Sequence, residues 1–284
     1  MPRRYRWLVP YLFFVPGGLW LLAFFVVPML VMASVSLQEG SLGTGFRLTW
    51  NFGVYPEMLA QWAPQFGRSL VYALVVTALT LLIGYPMAYT IAFRGGRYKS
   101  MLLLLVILPF FTAYIIRTLS WKLILADNGF VLGWLKDIGI LDDGFRLIAT
   151  PVAVISGLTY NFLPFMVLPL YVALEKVDPR LVEAATDLYA SRVQAFLRVT
   201  VPLSMPGVFA GSLLTFIPAI GDFINSEILG SRDTTMIGQI IQRLFLSNNA
   251  YPEAAALGFI LMAGVIAMIA AYARVVGADE LTRG

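Results

Sequence analysis

The sequence predicts an all-α integral membrane protein of six transmembrane helices, with a cytoplasmic helical loop between spans four and five. Three observations carry this. Hydrophobic residues make up 59% of the 284 residues, charged residues only 13%, and the mean hydropathy is +0.80. A soluble domain is about half apolar and one quarter charged, and this much apolar surface cannot be hidden inside a globule of this size. The uncharged residues are also gathered into six runs, at 7–38, 69–93, 100–116, 147–174, 199–221 and 254–273. A helix crosses the hydrocarbon layer in about 20 residues, with a usable range of roughly 17–25. Period-two alternation is missing from all six runs, which argues against a barrel.

Each span has its own justification. The first, 8–37, follows Arg3, Arg4 and Arg6 as a signal peptide would, but a signal's apolar core is only about 7–15 residues. This run has 32, so a retained span is expected. The second, 69–93, is bounded by Arg68 and Arg94. The third run is short, so its span is taken past Arg117 to 100–121. The remaining spans are 147–174, 201–221 and 254–273, and all six form one domain over 1–284. Pro86, Pro109, Pro164, Pro169 and Pro218 break backbone bonds inside spans. Such breaks survive where other helices or a water-filled cavity satisfy the freed groups, so several together point to a lined pathway. Ser69, Thr77, Thr80, Ser156 and Thr215 suit helix-to-helix hydrogen bonding, and the Gly207/Gly211 and Ala263/Ala267/Ala271 stripes suit close packing.

Lys/Arg bias sets orientation. With six spans, both termini share a side with loops 94–99 and 175–198; that side carries twelve Lys/Arg against six acids, the other eight against ten. The termini and the segment 175–200 are therefore expected in the cytoplasm.

Composition also excludes chemistry. Without Cys or His there is no disulfide, thiolate or His-ligated metal site, or His general base, so no cofactor or metal is expected in this chain. A scattered net charge of +4 does not suit nucleic acid; the expected surroundings are lipid. Uncharged mid-span registers disfavour an ion-coupled secondary carrier. The lack of any converging carboxylate pair disfavours an integral-membrane enzyme. The chain has no G-x-x-x-x-G-K-[ST] loop for ATP, so energy for uphill transport must come from a partner docked in the cytoplasm.

The loop supplies a surface for that. Asp178–Pro179 is a strong helix start, and Leu181, Val182, Ala184, Ala185 and Leu188 then give a short amphipathic helix with Arg180, Glu183 and Asp187 on its polar sides. Physics alone allows a membrane-surface helix or a docking knob. Glu183–Ala184–Ala185, followed by Val199-x-Val201-Pro202, resembles the E-A-A loop of importer permeases of the ATP-binding-cassette class. Tyr189 stands where that pattern has glycine, so the turn is expected to differ or the helix to run on. Thr159–Phe165, Ala184–Leu188, Leu203–Gly207, Phe216–Phe223 and Met236–Gly238 are similar to the polyamine branch of these permeases.

The resemblance implies a subunit of the bacterial plasma membrane that works beside a second, different permease. It implies two copies of an ATPase that binds ATP and Mg, and an extracytoplasmic binding protein that delivers putrescine or spermidine. Relatives in the branch carry opines, phosphonates or ferric iron. The coupling helix would contribute Glu183, Ala184, Ala185, Asp187, Leu188 and Tyr189. A polycation also needs carboxylates at an entrance and aromatic faces along its path; Asp222 and Glu227, just past the Pro218–Gly221 break, are candidates for the first, and Tyr85, Trp121, Tyr160 and Asn161 for the lining.

Overall fold

The computed structural model describes residues 8–281, with side chains over 15–274. The N-terminal arginines invoked for the first span lie outside the described residues. The helical architecture expected from the sequence is present. Five helices are long and apolar enough to cross a membrane, and a sixth span results if a bent pair is counted as one. The chain divides into two compact units, one combining the chain up to Trp62 with Ile241–Gly264, the other Ala63–Ile240 with the chain from Val265.

In the first unit, α1 (Leu8–Leu21) and α2 (Val27–Ser36) are joined by a π-helical turn, Leu22–Val26. A second π-turn, Phe196–Thr200, joins α9 (Arg192–Ala195) to α10 (Val201–Ile220) in the other unit. Each ends two residues before a proline, Pro28 or Pro202. The wider turn makes room for a ring that would otherwise strike the preceding carbonyl, so neither helix breaks.

The hairpin β1 (Gln38–Ser41) and β2 (Gly45–Leu48) was not expected from an all-helical reading. Its three-residue turn is closed by Ser41 and Thr44, whose hydroxyls lie 3.0 Å apart. Tyr55 Oη and Ser36 Oγ, 2.7 Å apart, tie the end of α2 to the start of α3 (Val54–Arg94).

Helix α3 has 41 residues where 25 were expected, and at about 1.5 Å per residue it is roughly twice the thickness of the hydrocarbon layer. Arg68 bounds the uncharged run but not the helix: its Nη1 donates to the Thr235 carbonyl at 2.8 Å, so the charge is accommodated mid-helix.

The third span is not the straight segment 100–121. Helix α4 (Lys99–Ile107) runs into a 3-10 turn at Leu108–Phe111, and the stretch Tyr114–Asp137, which α5 (Tyr114–Leu125) opens, leaves Gly96–Phe111 at 93°. Pro109 removes a donor, and Thr112 and Ala113 are not helical, which is where the chain turns. Helix α6 (Phe130–Asp137) follows. Helix α7 (Pro151–Glu175) starts four residues later than its uncharged run, with Thr150 capping the Ala153 N–H.

Helices α7 and α10 form the centre of the larger unit. Met166, Leu170 and Leu174 of α7 are fully buried, with Ala88 and Ile91 of α3 packed onto the same core. Gly207 and Gly211 allow α10 to approach. A Cβ on Gly207 would lie 2.5 Å from Ala173 Cβ, and one on Gly211 2.8 Å from Met166 Sδ. The small-residue pair therefore packs within the chain, whereas Ala263, Ala267 and Ala271 of the last helix, Tyr251–Leu281, are exposed. Gly207→Val is expected to lower the yield of folded protein and its thermal midpoint by several degrees, because three extra carbons must displace the α7 backbone. Thermal unfolding in detergent measures it, and an unchanged midpoint would contradict this packing.

Candidate functional site

Beyond α10 the chain turns at Gly221 and re-enters the larger unit as α11 (Ile224–Leu229). Gly157 of α7 makes room for it, since a Cβ there would meet Leu229 Cδ1 at 2.4 Å and Asn225 Oδ1 at 2.8 Å. This approach brings polar groups from three elements together. Tyr114 Oη donates to Asp222 Oδ2 at 2.6 Å, and Asp222 Oδ1 accepts from the Asn225 backbone N–H at 2.8 Å. Asn225 Nδ2 donates to Tyr114 Oη at 2.6 Å and reaches Asp222 Oδ1 at 3.3 Å. Asn161 Nδ2 donates to Asn225 Oδ1 at 3.1 Å and to Thr118 Oγ1 at 3.2 Å.

Asp222 is only 8% exposed, so it is not an open carboxylate at a mouth. Both of its oxygens are occupied by protein donors, as a buried charge requires. Burial pushes its carboxyl above the usual carboxylate range, while hydrogen bonds from Tyr114, Asn225 and the Ser226 backbone pull it down. Asn161 belongs to the same network, with its Oδ1 buried and without a partner among the described residues. Glu227 is exposed on α11. Trp121 and Tyr160 meet edge to face, with centroids 5.4 Å apart. Tyr85 is elsewhere: its hydroxyl lies 2.8 Å from Ser204 Oγ, and its ring is edge-on to Phe196. The structure thus gathers Asp222 and Asn161, pairs Trp121 with Tyr160, and separates Tyr85 from both groups.

Sequence reasoning missed Tyr114, Thr118 and Asn225. Tyr114 and Thr118 share a helix face four residues apart, and Asn225 follows Asp222 by three. Such spacings are visible in sequence, but their convergence depends on the bend before α5 and the turn at Gly221.

The second site is the loop after α7. Asp178 Oδ1 accepts the Arg180 N–H at 2.9 Å and starts α8 (Pro179–Asp187), as its sequence predicts. The helix neither runs on past Tyr189 nor ends in a different turn. Tyr189 itself takes the left-handed conformation, at φ 62°. The Tyr189 N–H donates to Thr186 O and the Ala190 N–H to Ala185 O, both at 3.0 Å, the pairing that closes helices with glycine at this position. Ser191 then caps α9 through a reciprocal bond pair with Gln194, so the last part of segment 175–200 is already the start of the fifth span. Glu183, Ala184, Asp187, Leu188 and Tyr189 are exposed, Ala185 is half-buried, and no residue of α8 is buried. The result is a rigidly capped amphipathic helix presented outward.

Residues 7–277 match the family described as the binding-protein-dependent transport system inner membrane component. The chain belongs to this family. It is a multi-pass permease of the inner membrane and a transport component, not an enzyme. It is 37% identical over 265 residues to the spermidine/putrescine transport system permease protein PotB of Haemophilus influenzae, covering 90% of each chain. The PotB of Escherichia coli K12 is 36% identical over 256 residues, with 90% of this chain and 93% of that one covered. Among solved structures, a bacterial transporter that imports the acidic polysaccharide alginate contains a similar chain, with a TM-score of 0.73 at 22% identity over 97% of this permease and 96% of that one. The alginate transporter in complex with its substrate-bound periplasmic protein gives 0.67 at the same identity, over 94% and 95%. At that identity the likeness is one of fold.

Proposed function

We propose that this permease works beside a second, different permease subunit on two copies of an ATPase, and imports a polyamine such as putrescine or spermidine handed over by an extracytoplasmic binding protein. The end-to-end similarity to two spermidine/putrescine permeases, 36–37% identical over 90% of this chain, carries the substrate assignment. The exposed, doubly capped α8 supports the mechanism. ATP closes the partner ATPases, their motion is received at 179–190, and because α8 packs on the π-turn inside the fifth span, the push is passed into α10. Uptake of labelled spermidine into proteoliposomes holding the assembled complex, with binding protein outside and ATP inside, tests the assignment. ATP-dependent uptake of an opine or ferric iron in place of spermidine would overturn the polyamine reading.

Both termini, loop 94–99 and α8 face the cytoplasm in this reading. The chain has no natural cysteine, so Arg97→Cys, Leu188→Cys and Ser247→Cys, all at exposed positions, give clean probes. An impermeant thiol reagent added to intact spheroplasts is expected to label only position 247. Labelling at 97 or 188 would invert the orientation.

A further inference from the structure

The bend in the third span builds a site of its own. It brings Phe110, from the 3-10 turn, against Tyr114 and Arg117 of α5. The Arg117 guanidinium carbon lies 5.1 Å from the Phe110 ring centroid and 5.5 Å from that of Tyr114. Neighbouring rings hold these two in place, with Phe165 edge-on to Phe110 at 5.2 Å and Phe162 against Tyr114 at 6.2 Å. The Asp222 carboxylate accepts from the Tyr114 hydroxyl and so makes that ring more electron-rich. Phe110 is 44% exposed, so one side of this aromatic cluster faces away from the chain.

Arg117 is poorly held there. It is only 6% exposed, yet its Nε and Nη1 have no acceptor among the described residues, and neither ion pair described there involves it. An ionisable group inside a span normally has a partner or a function. Two buried donors without acceptors lose more than two π faces return, so withdrawal to water would relieve the side chain.

We propose that Phe110 and Tyr114 form a subsite for one ammonium group of the transported cation, and that Arg117 occupies it as a tethered competitor that swings out when the substrate enters. The subsite rests on the polyamine reading. An ammonium group is compact enough to keep water on its three N–H donors at the exposed edge of Phe110 while it lies over the same ring faces. Arg117 would in this way keep the pathway filled between deliveries.

Equilibrium binding of labelled spermidine to the detergent-solubilised permease–ATPase complex, without binding protein, reads the competition directly. Arg117→Gln keeps much of the bulk and removes the charge, and is expected to tighten binding about tenfold, the scale of one close like charge in a partly hydrated site. Arg117→Lys should stay near wild type. Adding Phe110→Leu to Arg117→Gln should cancel the gain. Unchanged or weaker binding by Arg117→Gln, or a gain that survives Phe110→Leu, overturns the subsite. Loss of the second permease from the Arg117→Gln complex overturns it too, because Arg117 would then be holding an acceptor across that interface. Wild-type uptake with binding protein and ATP is measured alongside. Its absence would overturn the polyamine reading and the subsite together, whereas normal uptake without the binding gain would overturn the subsite alone.

Discussion

Glu183→Ala is expected to abolish most uptake while leaving the yield and thermal midpoint of the permease unchanged. The side chain is exposed on α8, and alanine is the better helix former, so the fold has nothing to lose. A charged hydrogen bond to a partner contributes about 1.5–3 kcal/mol, which weakens docking by roughly tenfold or more when removed. Glu183→Asp should keep part of the transport. Ala185→Arg, which places bulk on the half-buried side of the same helix, should prevent co-purification of the ATPase. Normal uptake and normal retention of the ATPase by both Glu183→Ala and Ala185→Arg would show that α8 is not the joint.

Asp222→Ala is the other large effect, and it strikes assembly first. It leaves the Tyr114 hydroxyl and two N–H groups of Asn225 without their acceptor. Orphaned buried donors cost about 1–3 kcal/mol each, so folded protein should be scarce. Asp222→Asn is the informative partner. Its carbonyl still accepts from Asn225, but its amide meets a Tyr114 hydroxyl that already receives the Asn225 amide, so a smaller loss of thermal stability is expected. Uptake is then compared per assembled complex. If Asp222→Ala is as stable as wild type, the network does not hold α5, α7 and α11 together in the way its geometry implies.

The parts of this fold legible in the sequence are those set by solvation. Lipid demands long uncharged runs, and those runs locate five of the long helices and both limbs of the bent pair. Their limits were less legible, because a charge marks where lipid ends and not where hydrogen bonding ends. Arg68 illustrates this: its carbonyl partner comes from Thr235, 167 positions away, and no local pattern reveals it. Pro109 signalled a break in the third span but not its angle. The start of α8 was legible because capping is local, whereas the geometry at Tyr189 contradicted residue preference because the surrounding bonds to Thr186 and Ala185 outweigh it. Of the buried polar cluster only Asp222 and Asn161 stood out, the remaining members being ordinary polar residues until the bend and the re-entrant segment bring them together.

The left-handed tyrosine has a thermodynamic consequence. A side chain in that conformation costs roughly 1–2 kcal/mol, and the Tyr189 ring is 98% exposed, so burial within this chain offsets none of it. Covering an aromatic ring of this size is worth about 1.5–3 kcal/mol, so a subunit that covered it would offset the strain. Folding of the loop and association are then linked by mass action. The melting temperature of the permease should rise with the concentration of the covering subunit, and Tyr189→Gly should make the isolated chain slightly more stable while flattening that dependence.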